Sequence, residues 1–332
     1  MYFILTIDTE ADNQWCHGCQ LTTENVNYWA PFQELCEDYG IRPTYLITSE
    51  ISSDPSAISF FRPIIKNSLA EVGAHLHPWT TPPFEDLTGL RFNDNVHAFP
   101  SDLNSKLLTA KLKVLSEQIT SITGHPPTSF RAGRFGFNEE CANALCGLGY
   151  IVDSSVVPQI SFRKTIGLKS EGGPDFCNKT AWPFSIKCEN EKTLLEIPVT
   201  VVISSILLQR MPSLLPYHQL VEKVTRKLFG LKCIIRQPLW LRPWPYMSPK
   251  WLLNVWDEAE RQGLPFGVMM FHSSELMPGA SPFRPTKDSV DELIDLLRNF
   301  FHILRNKHVE SVTLSEAAQI YKKNLSLFNS NF

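Results

Sequence analysis

The run MYFILTIDTE (residues 1–10) decides the fold class. Residues 1–7 are apolar, aromatic or β-branched, and the run then stops on Asp8, Thr9 and Glu10, the profile of a buried strand that delivers polar groups at its C-terminal end. Behind it, Glu24 to Tyr39 sets Trp29, Phe32, Leu35 and Cys36 at helical spacing before a stop at Gly40, so the chain opens with a β/α unit. The alternation continues. Arg42–Thr48, Glu71–His77, Ser129–Arg134 and Tyr150–Val157 read as strands, with helices at Ile58–Ile65, Leu103–Thr123 and Asn138–Leu148 between them. Thr193–Val202 is a further strand, Pro216–Phe229 and Pro249–Arg261 are helices, and Pro265–His272 is a late apolar strand. Val290, Leu293, Ile294, Leu297, Phe301 and Leu304 mark the inner stripe of a closing helix. This order predicts an α/β protein with a parallel sheet and outer helices, open or closed into a barrel.

Composition narrows the function. Of 332 residues, 43% are hydrophobic and 20% charged, which suits a folded core, and the net charge of −3 argues against a dedicated nucleic-acid binder. The longest strongly apolar run, Ile197 to Leu208, falls short of the roughly 18 residues a membrane span needs. The N-terminal run lacks a basic segment and a cleavage site, so a cytoplasmic protein with reduced cysteines is expected. Cys16 and Cys19 form the one close CxxC pair. It reads as an ordinary reduced pair, with a zinc or redox role as the alternative.

The chemistry should gather where parallel strands end. Strand ends supply Asp8 and Glu10, His75 and His77, Arg131 and Arg134, Asp153, and His272. Residues two apart in a strand face the same side, so His75 pairs with His77 and Asp8 with Glu10. Two imidazoles and one carboxylate form an open three-ligand shell, as a catalytic divalent ion requires, zinc before others. The plainer alternative is a polar strand end without an ion.

These residues resemble the polysaccharide deacetylases of the carbohydrate esterase 4 type. Thr6-Ile-Asp-Thr-Glu10 resembles the first family motif, Gly73-Ala-His-Leu-His-Pro-Trp79 the second, Phe130-Arg-Ala-Gly-Arg134 the third and Met270-Phe-His272 the last. The pattern is most similar to the branch associated with surface-polysaccharide and lipopolysaccharide functions. The resemblance implies an irregular (β/α)7-type barrel over residues 1–325, with a variable excursion at about 158–262 and a tail at 326–332. It implies a metal-dependent hydrolase that removes an N-acetyl group from a sugar of a cell-surface glycan, acting on a carbon–nitrogen bond. A deformylase or other amidohydrolase, or an inactive glycan-binding barrel, are the alternatives.

By the same resemblance Asp8 is the catalytic base, Arg131 orients it, and His272 is the general acid. Two departures stand out: the family's adjacent acids are split by Thr9, and its His-x-x-x-His is compressed to His75-x-His77. Glu10, with its longer arm, is assigned to the metal beside His75 and His77, the reverse assignment with Asp8 being the alternative. Trp79, Arg134 and Asp153 are assigned to the substrate. Asp153 equally fits a second layer or a turn cap, and Trp15, Trp79, Pro82, Pro83 and Phe84 either stack on sugar rings or pack their own loops. Residues 203–250 carry eight Lys or Arg and one acid, Glu222, a face for an anionic membrane surface or a diphosphate-linked glycan, or simply a solvated helix.

Overall fold

The structure is a computed structural model that describes residues 1–15, 20–84, 98–165, 172–203, 238–245 and 247–324. The Cys16/Cys19 pair, the expected helix Pro216–Phe229, most of the basic segment and the 326–332 tail lie outside these residues. Ten strands are described: β1 Tyr2–Thr9, β2 Thr44–Ile47, β3 Glu71–Leu76, β4 Ser129–Ala132, β5 Val152–Asp153, β6 Phe184–Lys187, β7 Thr193–Glu196, β8 Val201–Val202, β9 Leu239–Trp240 and β10 Phe266–His272. The helices are α1 Trp29–Asp38, α2 Ser49–Ser52, α3 Pro55–Lys66, α4 Ser105–Thr123, α5 Glu139–Leu148, α6 Pro249–Arg261, α7 Lys287–Asn306 and α8 Leu314–Lys323.

The main sheet has the order β10-β1-β2-β3-β4-β5-β7-β6. Seven of these strands run parallel, and β6 pairs antiparallel with β7. The sheet curls as a (β/α)7 barrel does. Past β7 the chain crosses to β10, where the Thr200 N–H donates to Val268 O at 3.2 Å and the Val268 N–H donates to Thr200 Oγ1 at 2.8 Å. Thr200 thereby bridges the seam between the two ends of the parallel set.

Strand parity puts the polar residues inside. Phe3, Leu5 and Ile7 join the large core under the helices, whereas Ile4 joins an inner cluster with Leu46, Val152 and Val268. Thr6 and Asp8 share Ile4's side. The same alternation turns His75 inward, because Ala74 and Leu76 face the helices, and likewise Arg131 between Phe130 and Ala132 and His272 beyond Phe271. Packing closes the opposite end: Leu314, Ala317 and Tyr321 of α8 plug the inner cluster. The Thr313 side chain caps α8 by accepting from the Glu316 N–H.

Several strands are shorter than the sequence pattern suggests, each for a local reason. β4 stops at Ala132 because Arg134 and Phe135 take left-handed φ values of 50° and 58°. β5 stops at Asp153, whose carboxylate accepts from the Ser155 N–H and Oγ and turns the chain. β7 ends before Pro198, which has no N–H for a ladder. In α7 the buried stripe includes Leu296 and Phe300, and Ile294 is only partly buried.

Candidate active site

One oxygen of Glu10 and one nitrogen each of His75 and His77 lie within 4.8 Å of one another, all three residues buried. The end of β1 holds Glu10 in place: its N–H donates to Ser273 Oγ at 3.2 Å, and its carbonyl accepts from Asn25 Nδ2 at 3.0 Å. Asn25 is in turn held by Asp12, which accepts from its backbone N–H at 3.0 Å. His75 sits opposite Arg131 in the β3–β4 register, and its Nδ1 lies 2.9 Å from Arg131 O. A carbonyl can only accept, so Nδ1 carries the proton and Nε2 presents a lone pair. His77 lies against Trp79, rings stacked at 4.4 Å, and the Arg134 guanidinium covers that indole at 4.7 Å. Gly133 makes the approach possible: a Cβ there would stand 2.2 Å from His77 Cδ2.

Burial sets the charges. It pushes His75 down to about 4 and His77 well below its ordinary value, so both imidazoles are neutral at physiological pH. Burial, with Asp8 and Glu50 nearby, pushes the Glu10 carboxyl well above the usual range, and Arg134 and Arg242 offset this only in part. Two neutral imidazoles beside a carboxylate short of positive charge form a donor set suited to a divalent ion. The buried Nδ1 of His77 has no hydrogen-bond partner among the described residues. The donors present therefore fit a metal, and Glu10, His75 and His77 would hold it.

Asp8 sits differently. Burial alone would raise its carboxyl, but Arg131 foremost, then His75 and His272, hold it below the ordinary value. Arg131, fully buried, donates from Nη1 to Asp8 Oδ1 at 2.6 Å, from Nη2 to Thr6 Oγ1 at 2.9 Å and Ser154 Oγ at 3.1 Å, and from Nε to Ser154 O at 2.7 Å. Asp8 is thus an ionised carboxylate fixed at the mouth.

His272 closes the other side. Its Nε2 lies 3.4 Å from Glu10 Oε1, and Trp15 packs edge-on at 5.1 Å. Rings continue from there: Trp15 meets Phe283 at 5.2 Å, Phe283 meets Trp244 at 5.3 Å, and Trp244 meets Trp240 at 6.1 Å. Two residues to which the sequence reading gave no role stand here, Arg242 and Glu275, joined by a 2.7 Å ion pair beneath His272. Glu275 lies in the turn Ser273–Leu276 that follows β10, whereas Arg242 was visible only as one charge in a basic stretch.

Asp153 departs from its expected place at the substrate. It is fully buried, pairs with Ser155, and faces Glu196 of β7. Burial pushes both carboxyls up, Glu196 further because Asp153 stands beside it, so the pair holds a proton above the ordinary carboxylate range. The two acids stand behind Arg131, not in the mouth. Lys111 of α4 is another unforeseen support, donating from Nζ to the carbonyls of Pro78 at 2.8 Å, Thr81 at 2.6 Å and Pro83 at 2.5 Å. It pins the turn that carries Trp79.

No family model matches the sequence, and no curated protein matches it. Solved structures do resemble the fold. A candidate polysaccharide deacetylase from Mycobacterium smegmatis matches over 97% of this chain and 91% of its own, with a TM-score of 0.52 at 13% identity. The 4-α-glucanotransferase of Thermococcus litoralis matches over 95% of this chain with a TM-score of 0.53 at 13% identity, this chain spanning 39% of its length. The likeness is one of fold. Two proteins described by different activities share this scaffold, so the chemistry has to be argued from the side chains. Among the described residues no helix is long and apolar enough to cross a membrane.

Proposed function

We propose that this chain is a metal-dependent deacetylase of the carbohydrate esterase 4 type, removing the N-acetyl group from a sugar of a cell-surface glycan or its precursor. The observation that carries this reading is the convergence of Glu10, His75 and His77 into one buried donor set, with the ionised Asp8 on one side and His272 on the other. A divalent ion in that set, zinc before others, supplies a Lewis acid that acidifies water and polarises an amide carbonyl.

The chain's own groups do the rest. Asp8, held as a carboxylate by Arg131, takes the proton of the attacking water. His272 delivers a proton to the departing nitrogen, without which an amine is a poor leaving group. Trp15, exposed beside His272, offers a ring face on which a pyranose stacks, whereas Trp79 is covered by His77 and Arg134 and holds His77 in place.

Acetate release tests the proposal. Purified protein is incubated with N-acetylated, N-formylated and O-acetylated sugars, with and without a chelator. Chelator-sensitive release from N-acetylated sugars alone is expected. Release unaffected by the chelator would remove the metal from the reaction, and preference for the formyl or O-acetyl series would replace the substrate class.

A further inference from the structure

The two histidines of the donor set are oriented by different means. His75 has its Nδ1 hydrogen-bonded to Arg131 O, whereas the buried Nδ1 of His77 has no such partner among the described residues. A ligand imidazole held through its far nitrogen keeps its aim, so His77 has to be aimed by what packs against it. Trp79 stacks on the ring at 4.4 Å with the planes 27° apart, and Gly133 leaves room for the ring's edge. Trp79 belongs to the turn that follows β3, HPWTTPPF at residues 77–84, where three prolines bring no N–H. The Thr80 and Thr81 N–H groups both donate to His77 O, at 3.3 and 3.2 Å. The carbonyls of Pro78, Thr81 and Pro83 turn instead to Lys111, a fully buried residue on the apolar face of α4, whose Nζ donates to them at 2.8, 2.6 and 2.5 Å.

An ammonium has three protons, one for each of these carbonyls. Burial pulls Lys111 down to about 7, but a neutral amine has only two protons to give, so the three short contacts favour the charged form. We propose that Lys111 is the positioning residue of His77: the ammonium fixes the turn, the turn places Trp79, and the indole aims the imidazole at the donor set. An apolar residue in its place would fill the face of α4 but leave three carbonyls of a donor-poor turn without their shared partner. That the aim serves a metal rests on the metal-dependent deacetylase reading; the path from Lys111 through Trp79 to the ring does not.

Proton NMR of the metal-free full chain, with the His77 ring assigned through His77→Asn, reads the stack, because an indole 4.4 Å away displaces the signals of the imidazole. Lys111→Met keeps an apolar stem and removes the donor. It should return the His77 signals toward those of an unstacked ring. Against a competing chelator it should weaken zinc binding by about 10–100-fold, the range for groups that orient a metal's ligands. Trp79→Leu, which keeps Lys111, should weaken zinc binding as much, and the double variant should lose no more than the weaker-binding single, since both act on one path. Losses that add in the double variant would overturn the proposal, and so would a folded Lys111→Met with unchanged His77 signals and zinc affinity, the result for a merely structural lysine. Should Lys111→Met fail to fold, Trp79→Leu decides, and full zinc affinity in that variant would overturn the proposal. A wild type that binds no zinc, yet shows displaced His77 signals that Lys111→Met restores to ordinary values, would defeat the metal reading and leave the positioning role standing.

Discussion

Two buried arginine–carboxylate pairs flank the candidate site and do different work. Arg131 grips Asp8 at 2.6 Å, and the carboxylate it holds is itself the proposed base. Arg242 grips Glu275 at 2.7 Å beside His272 Nδ1, and neither partner is proposed to react. The first pair joins neighbouring layers of one parallel sheet, with His75 in register with Arg131 and Asp8 in register with His272. The second joins the turn that follows β10 to the segment that follows β9. A buried ion pair is thus a means of aiming a group, and its partners have to be read to learn which group is aimed.

Asp8→Asn should produce the largest loss in this comparison, because it removes the reacting member of the first pair: turnover should fall by roughly 10²–10⁴-fold with metal still bound. Glu10→Gln should instead weaken metal affinity, with activity partly restored by excess ion. Metal lost from Asp8→Asn and kept by Glu10→Gln would reverse the two roles.

Arg131→Met isolates what the first pair contributes to folding. It leaves Asp8 buried without its counter-charge and should cost about 3–5 kcal/mol in urea denaturation. A loss below ~1 kcal/mol, the range of exposed pairs, would show that Asp8 has another counter-charge.

The legible half of the site shares a property: each group ends an apolar strand. Asp8, Glu10, His75, His77 and His272 stand where periodicity 2 gives way to polar residues, so alternation alone fixes their side of the sheet. Arg242 has no such signal, since its position depends on where residues 238–245 return to the barrel, which no local pattern encodes. Glu196 was hidden inside an apolar strand, and Asp153 takes the second-layer, turn-cap place of its two readings, since a strand-end acid looks the same whether it faces the mouth or a second acid. Lys111 sits in the buried face of α4, where helical spacing expects an apolar residue. Helix α8 was overlooked although Thr313 and Glu316 form a capping box.

Lys111→Met sharpens the contrast between aiming by charge pair and aiming by carbonyl contacts. Three carbonyls lose their shared donor, and stability should fall by about 2–3 kcal/mol in the same denaturation assay, with unpaired buried acceptors as the cause. No loss would mean that water replaces the ammonium.

The smallest effect concerns the acids behind Arg131. Burial raises Glu196 above its ordinary value, so the native pair keeps a proton that the unfolded chain releases. Its contribution is complete below the unfolded glutamate value and is lost as pH rises toward the folded one. Stability should therefore decline with pH above the ordinary glutamate range, by at most about 1.4 kcal/mol per pH unit for one proton. Glu196→Gln should flatten that slope, and an unchanged slope would place the proton elsewhere.

The central claim, a divalent ion held by Glu10, His75 and His77, is tested most directly by elemental analysis of purified protein equilibrated with zinc and freed of excess ion. One equivalent per chain in the wild type and none in the His75→Ala/His77→Ala double variant, with both proteins folded by circular dichroism, is the predicted result. Full occupancy in the double variant, or none in the wild type, would contradict it.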